Sequence, residues 1–415
     1  MKIAFLTLGC KLNYAETSTY ERGFKECGLE IVSPEKVADV YLVNTCAVTA
    51  HSESKCRHMI SKCHRLAPGA AIVVTGCYAQ LRREEVAALD GVKLVFGSGE
   101  KGSVVPAVME YLSGRPVAPV KETPTLAAYS SGERTRSFLK VQDGCNNYCA
   151  YCTVPFARGN SRNIPICEVV RQAREIAASG VREIVLTGVN TGDFGRSSGE
   201  SFLDLLKALN EVEGIERYRI SSIEPNLISE QIIDWIASGT KFQPHFHIPL
   251  QSGSDTLLKR VGRRYDTALF ASRIDYIRSA MERPGSPSVF FGIDVIAGLP
   301  GETDELFLQT YRFLSERIRP AFIHVFPYSR RPLTRAAEWP DQVRDGVKTE
   351  RVAALEALSR ELNQAFIASQ KGIHEKVLWE SSVKGGMMGG YTGNYIRVER
   401  PYDPARVNTI EDITL

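Results

Sequence analysis

Short apolar runs alternate with amphipathic stretches over the first quarter of the chain. The runs are KIAFLTL (2–8), VADVYLVNT (37–45), AAIVVTG (70–76) and KLVFG (93–97). Helical periodicity follows each of them, over 15–27, 51–66, 80–88 and 101–112. That rhythm predicts a doubly wound α/β domain, a parallel sheet with helices on both faces. Residues 113–136 are rich in Pro, Ser and Gly and have no period, which predicts a linker. A second series then begins. Strands are predicted at 138–142, 183–188, 217–223, 245–250, 289–298 and 322–328. Helices are predicted near 165–179, 201–212, 229–238, 266–282 and 303–317. Six units fall short of the eight that close a TIM barrel, so a partial, TIM-like (β/α)6 barrel is expected. Residues 344–372 read as one helix ending at Gly372. After it the period changes to alternation, in VLWESSV, NYIRVER and EDITL, separated by Gly-rich turns. This predicts a small all-β barrel module. The expected domains are 1–130, 131–371 and 372–415.

Composition changes this picture little. The 415 residues are 43% hydrophobic and 24% charged, ordinary for a folded chain, and the net charge of +3 neither demands nor excludes nucleic acid. No apolar run approaches the ~18 residues of a membrane span, and MKIAFLTLGC does not read as a signal peptide. A cytoplasmic protein without membrane contact is expected, and a monomer. In that reducing compartment grouped cysteines read as metal ligands or redox groups.

Ten cysteines are present, and three of them, Cys145, Cys149 and Cys152, form C-x3-C-x2-C directly after a predicted strand. Soft thiolates select zinc, copper(I) or iron–sulfur clusters. A structural zinc needs four ligands, and the next Cys or His is Cys167. Cubane clusters usually take four cysteines; with three, one iron keeps an open position for a cofactor or substrate. The alternative is a coincidental group of buried or zinc-binding thiols. Cys10, Cys46 and Cys77 are 36 and 31 residues apart, yet each ends an apolar run: FLTLGC, YLVNTC and VVTGC. The carboxyl ends of parallel strands share one edge, so these three can converge on a second metal site. The plain alternative is three small buried residues. Cys27, Cys56, Cys63 and Cys167 fall on helical stretches and are assigned to the core.

The C-x3-C-x2-C loop after a first strand of a six-unit barrel resembles the radical S-adenosylmethionine superfamily. The resemblance implies a [4Fe–4S] cluster whose open iron is chelated by the methionyl part of S-adenosylmethionine, and reductive cleavage to a 5′-deoxyadenosyl radical. It also implies that Tyr151, between the second and third cysteines, packs near adenine. TLGCKLN, NTCAVT and TGCYAQ, followed by DGCNNYCAYCTVPFARG, resemble the methylthiotransferases. In that family the first set of cysteines holds an auxiliary [4Fe–4S] cluster at which sulfur is delivered. GCKLNYAETS and LTGVNTGDFG are most similar to the bacterial enzymes acting on threonylcarbamoyladenosine beside the tRNA anticodon. Isopentenyladenosine enzymes usually read GCQMN at the first of these, and ribosomal-protein aspartate enzymes GCPKN. Leu333, Val261 and Thr153 depart from common family residues. The implied catalytic set is Cys10, Cys46, Cys77, Cys145, Cys149 and Cys152. The implied partners are the tRNA anticodon loop, an external one-electron reductant and a sulfur donor. The alternative of another class is a non-catalytic iron–sulfur or zinc RNA-binding protein.

Further candidates lie at predicted strand ends. The superfamily likeness places Thr187, Gly188 and Asn190 (LTGVN) against the methionyl group and Ile296 (GIDVIAGLPGE) against adenine. Glu224 is a candidate partner of cofactor or substrate, with a salt bridge inside the barrel as the alternative. Gln251 and Ser252 are candidates for ribose hydroxyls, and the Ser-Gly-Ser they enter is also a turn signal. Arg158 and Arg162 offer planar forks to a phosphate or to the threonylcarbamoyl carboxylate. GGYTGNYIRVERP (389–401) is similar to a TRAM domain, an RNA-binding β-barrel, and Tyr391 and Tyr395 are candidates for stacking on loop bases or for barrel packing. The module itself is not basic: residues 373–415 hold five Lys/Arg and six Asp/Glu.

Overall fold

The computed structural model describes residues 1–118, 123–132 and 135–415. The predicted linker lies partly outside the described residues. The first sheet has five parallel strands, β1 (Lys2–Thr7), β2 (Glu30–Val32), β3 (Val40–Thr45), β4 (Ala71–Gly76) and β5 (Val92–Phe96), in the order β2-β1-β3-β4-β5. β3 and β4 are buried at every position, which is why their sequences run apolar without alternation. Helices cover both faces. α1 (Lys11–Glu26) packs Tyr20 and Phe24 on Ile3, Val40 and Leu42. α2 (Ala50–Leu66) packs Cys56, Ile60 and Cys63 on Tyr41, Val43 and Val74. The predicted helix 80–88 is two short ones, Cys77–Leu81 and Arg83–Ala87, split by the non-helical backbone of Arg82. β2, only three residues long, was too short to leave a periodic signal.

The second region contains β6 (Arg136–Lys140), a small antiparallel pair β7 (Gln142–Asp143) and β8 (Arg162–Asn163), then β9 (Glu183–Thr187), β10 (Arg217–Ile220), β11 (His245–Gln251), β12 (Phe290–Ala297) and β13 (Phe322–Pro327). Two parallel sheets, β6-β9-β10 and β11-β12-β13, adjoin through the Tyr218–Phe242 bridge and form the open six-stranded barrel. Alternate residues divide its faces. Phe246, Ile248, Phe291, Ile293 and Val295 pack outward in the main core, leaving His247, Asp294 and Ile296 on the concave side. A helix missed by the periodicity, Asp255–Val261, ends at Gly262 in the left-handed region. The helix Asp304–Arg312 passes into a π-turn over Phe313–Ile318.

A long helix, Asp345–Ser369, leads to four antiparallel strands: β14 (His374–Lys384), β15 (Met387–Thr392), β16 (Arg397–Pro401) and β17 (Ile410–Thr414). Their order is β16-β15-β14-β17, and the sheet is curled. β15 occupies a stretch read as a Gly-rich turn. Its glycines serve packing: a Cβ on Gly390 would stand 2.4 Å from Val377 Cγ1 and 2.8 Å from Trp379. The sheet docks at the amino ends of the barrel strands. Arg217 donates to the carbonyls of Lys376 and Tyr391, and Arg219 to those of Thr392 and Gly393. Arg219 is 1% exposed and pairs with Glu183 at 2.8 Å. Arg219→Met should therefore cost about 3–5 kcal/mol, the usual size of a broken buried pair. Hydrogen exchange should show the loss concentrated in residues 374–414, and uniform protection there would count against this docking.

Candidate functional site

Each three-cysteine set sits at the carboxyl edge of a parallel sheet. Cys10 follows β1, Cys46 follows β3 and Cys77 follows β4. The strand ends crowd here, and glycine is needed to let them. Gly76 has φ +100, and a Cβ on it would lie 2.4 Å from the Thr45 carbonyl oxygen. Gly9 has φ +130, and a Cβ there would meet Asn13 Nδ2 at 2.7 Å and Cys46 Cβ at 3.2 Å. Asn13 ties the ends of β1 and β3 together by donating to the carbonyls of Leu8 (2.8 Å) and Thr45 (3.0 Å). Cys46 and Cys77 are buried and Cys10 is exposed. Burial raises the Cys46 and Cys77 thiols; Cys77 and Cys10 raise Cys46 further, while Arg158 and Lys101 partly offset the rise of Cys77.

The second set lies on the loop between β7 and β8. Gly144 opens it with φ +74, where any Cβ would strike the Asn160 carbonyl at 2.0 Å. Cys145 N donates to Gly159 O and Cys152 N to Cys149 O, closing the loop on itself. Ala150 pins it to the barrel through Val261 O and Ala336 N. Burial pushes the Cys145 and Cys152 thiols up to about 11 and about 12. A metal bound here displaces those protons. Arg263 Nη1 stands 3.3 Å from Cys149 Sγ and 3.4 Å from the Tyr151 hydroxyl. Neither set draws its three sulfurs within 4.8 Å of one another. A tetrahedral zinc, with Zn–S near 2.3 Å, holds sulfurs about 3.8 Å apart.

The other predicted residues fall into four groups. Tyr151 and Ile296 pack together beside Val261 and Leu299, at the level of the cysteine loop. Thr187, Gly188 and Asn190 form the turn after β9, and a residue overlooked in the sequence governs it. Gln142 Oε1 accepts from Val189 N and Asn190 N, while its Nε2 donates to Gly144 O and Ser161 Oγ. Glu224 is ion-paired to Arg263 Nη2 at 2.5 Å and accepts from Asn147 Nδ2 at 2.8 and 2.9 Å. Gln251 ends β11 with φ 70 at a bulge.

Three expectations are corrected, and one, for Tyr391 and Tyr395, is narrowed to the packing reading. Ser252 is fully buried, its hydroxyl 3.2 Å from Thr310 Oγ1, because the turn packs on the helix Asp304–Arg312; it faces no ribose site. Arg158 is 3% exposed and held by Glu16 and Asp143, so it offers no free fork to substrate. Its Nη2 instead reaches within 3.9 Å of Cys10 Sγ. Tyr391 and Tyr395 stack on each other at 4.8 Å, with Tyr395 also against His245 and Phe290, so they fill the barrel base and present no open stacking platform. Cys27 and Cys167 are exposed, as the end of α1 and the first turn of Ile166–Ala178 place them outward; Cys56 and Cys63 are buried as expected. Arg162 remains partly exposed, donating to the carbonyls of Arg158 and Asn160.

Comparison with known proteins agrees with this layout. Residues 2–97 match an uncharacterized protein family, UPF0004, and residues 139–314 match the radical SAM superfamily. The chain is 40% identical over 409 residues to a threonylcarbamoyladenosine tRNA methylthiotransferase of Bacillus subtilis, covering 95% of this chain and 89% of that one. It is 37% identical to the enzyme of that name from Aquifex aeolicus, covering 96% and 97%. A tRNA-2-methylthio-N(6)-dimethylallyladenosine synthase of Thermoanaerobacter pseudethanolicus is 32% identical, covering 91% and 82%. Among solved structures, the radical S-adenosylmethionine methyltransferase TsrM of Kitasatospora setae shares the fold with a TM-score of 0.60 at 14% identity, covering 81% of this chain and 74% of that one. No helix among the described residues is long and apolar enough to cross a membrane. Identity of this order along nearly the whole length shows the family: the chain belongs to the radical S-adenosylmethionine methylthiotransferases.

Proposed function

We propose that this enzyme adds a methylthio group to C2 of the adenine of threonylcarbamoyladenosine, next to the anticodon of tRNA. One observation carries the reading. Two cysteine triads stand at the carboxyl edges of two separate parallel sheets, and Arg158, which follows one set on the same loop, reaches to within 3.9 Å of Cys10 Sγ of the other. The substrate follows the names of the relatives, among which threonylcarbamoyladenosine enzymes recur. In this reading residues 1–130 carry the sulfur-delivering set, 131–371 the cofactor-cleaving set, and the β module 372–415 contributes to RNA binding.

The family uses a [4Fe–4S] cluster and S-adenosylmethionine. Cys145, Cys149 and Cys152 fit that cluster, being three soft donors joined by no fourth ligand among the described residues but by the Arg263 cation. Cys10, Cys46 and Cys77 fit a second one, beside the Arg158 cation. When bound, the first supplies the electron that cleaves S-adenosylmethionine and the second the sulfur that is transferred. The chain's own residues position and shield. Arg263 and Arg158 offset the negative charge of three thiolates each. Glu224, fixed by Arg263 and Asn147, and the turn Thr187–Gly188–Asn190, fixed by Gln142, line the cofactor side with Gln251 and Ile296. Tyr151, buried against Ile296, excludes water from the same side. Electrons and sulfur come from an external reductant and donor.

Two measurements test this. Nucleosides from the tRNA of a deletion strain should lose the methylthio derivative of threonylcarbamoyladenosine; unchanged levels remove the substrate assignment. Anaerobically reconstituted protein should hold roughly eight irons per chain, as two four-iron cubanes require. Stoichiometric zinc without cofactor cleavage would favour a non-catalytic protein instead.

A further inference from the structure

The concave face of the barrel carries one polar cluster that the cysteine chemistry leaves unused. His247 on β11, Asp294 on β12 and His324 on β13 place their polar atoms within 4.8 Å of one another. His247 Nε2 is 2.6 Å from Asp294 Oδ1. The two imidazole rings stack at 4.8 Å, 9° from parallel. Ile296, the next residue of β12 on that face, packs against Tyr151 of the cysteine loop. Two strand residues span about 6.6 Å, so the trio lies one step beneath the level at which the cofactor is expected.

Across from this cluster stands the start of α1. Lys11 directly follows Cys10; its side chain is reached by solvent, yet it is closely surrounded by protein, and that desolvation lowers its pKa. No carboxylate pairs with it among the described residues, although Asp294, His324 and Tyr395 lie within its electrostatic reach. Burial, and then the neighbouring His247, pushes His324 down to about 4, so its ring is neutral at physiological pH. A carboxylate with two imidazoles is also a common divalent-metal set. Here the unpaired ammonium repels a second cation. The same ammonium suits a ligand that brings its own anion together with hydrogen-bond donors and acceptors. The two arginines first considered for that anion are spent, Arg158 on Glu16 and Asp143 and Arg162 mainly on backbone carbonyls.

We propose that Lys11, His247, Asp294 and His324 form the pocket for the threonylcarbamoyl substituent of the target adenosine. Lys11 pairs with its carboxylate, Asp294, oriented by His247, accepts from its urea N–H, and His324 bonds its hydroxyl. The adenine then lies at the level of Tyr151, between the two cysteine sets, with its substituent directed down the barrel. This inference rests on the substrate reading given above and adds the residues that select it.

The test is a cycle between protein and RNA, using cluster-reconstituted enzyme and two anticodon stem-loops. One carries threonylcarbamoyladenosine; in the other the carboxylate is converted to the uncharged carboxamide. Wild type should bind the acid about 10-fold or more tighter than the amide, as a charge-assisted hydrogen bond implies. Lys11→Gln should erase that preference by weakening the acid alone, and Lys11→Arg should restore most of it. His324→Phe, remote from the cysteines in sequence, should weaken both loops. Iron content is read in parallel, so that damage to the neighbouring Cys10 site is recognised. A preference that survives in Lys11→Gln with full iron overturns the pocket and leaves the substrate reading intact. A divalent ion bound by wild type and lost in His324→Phe also overturns it. Wild type that methylthiolates neither loop defeats the substrate reading itself.

Discussion

Cys149→Ala should lose cleavage of S-adenosylmethionine altogether, while Cys46→Ala should keep it and transfer no methylthio group. The two residues sit in equivalent positions, each a buried thiol at the carboxyl edge of a parallel sheet. Their consequences differ because the sheets differ. Cys149 belongs to the loop on the barrel, beside Arg263, Tyr151 and the Glu224 carboxylate, where the cofactor site is proposed. Cys46 belongs to the five-stranded sheet and touches none of these. Changing groups that merely support a metal ligand costs about 10–100-fold, so removing a ligand should exceed ~100-fold in the affected step. Iron should fall by about half in each variant, from roughly eight to roughly four per chain. The exposed thiols provide the control, since Cys27→Ser and Cys167→Ser should leave both iron and turnover alone. A Cys46→Ala enzyme that still methylthiolates at the wild-type rate would falsify the auxiliary assignment, and one that stops cleaving the cofactor would show that the two sets do not act separately.

Much of this was readable from the chain alone. Strands β3 and β4 are continuously apolar because both faces are covered, and a continuous apolar run ending in Cys is a strong signal. The C-x3-C-x2-C spacing is local, so it survives without knowledge of the fold. What failed was non-local. Arg158 looks like a free loop arginine until Glu16, 142 residues earlier, is found against it. Ser252 carries a turn signal that is correct, but nothing in the segment says that Thr310 will close over its hydroxyl. Tyr391 and Tyr395 have the composition of a stacking platform, and only docking on the barrel base reveals them as packing residues. Gly389 and Gly390 were read as turn because glycine is a turn residue; in β15 the constraint is the approach of Val377 and Trp379. Gln142 gave no signal of its own, since a polar residue at a strand end is ordinary until its partners are seen; Lys11 stood inside the GCKLN motif, but nothing local marked it as a site residue.

Glu16→Gln should destabilise the seam between the five-stranded sheet and the barrel by about 3–5 kcal/mol. Glu16 lies on α1 and is fully buried, with Lys101 at 2.7 Å, Lys140 at 3.0 Å and Arg158 at 3.3 Å. Asp143 is the other anion, 2.7 Å from Lys140 and 2.9 Å from Arg158. Three buried cations share two carboxylates, so losing one leaves Lys101 with no anion at contact distance among the described residues. Burial alone would raise the Glu16 carboxyl, but Lys101, Lys140 and Arg158 overcome it and hold the group well below the ordinary 4.5; Asp143 is depressed in the same way. A depressed carboxylate contributes stability above its unfolded pKa and loses it as pH falls toward the folded value. The cost of Glu16→Gln should therefore be full near neutral pH and shrink below about pH 4, where the wild type begins to lose the same interaction. Because Lys101 belongs to the sheet region while Lys140 and Arg158 belong to the barrel, the seam also fixes how far Cys10 stands from the cysteine loop. On the proposed mechanism cofactor cleavage needs only the barrel, whereas transfer needs both sets in register, so Glu16→Gln should reduce methylthiolation far more than cleavage. Equal losses of the two, or a stability cost that does not change between pH 7 and pH 3.5, would show that the buried charges hold neither the seam nor the spacing of the two cysteine sets.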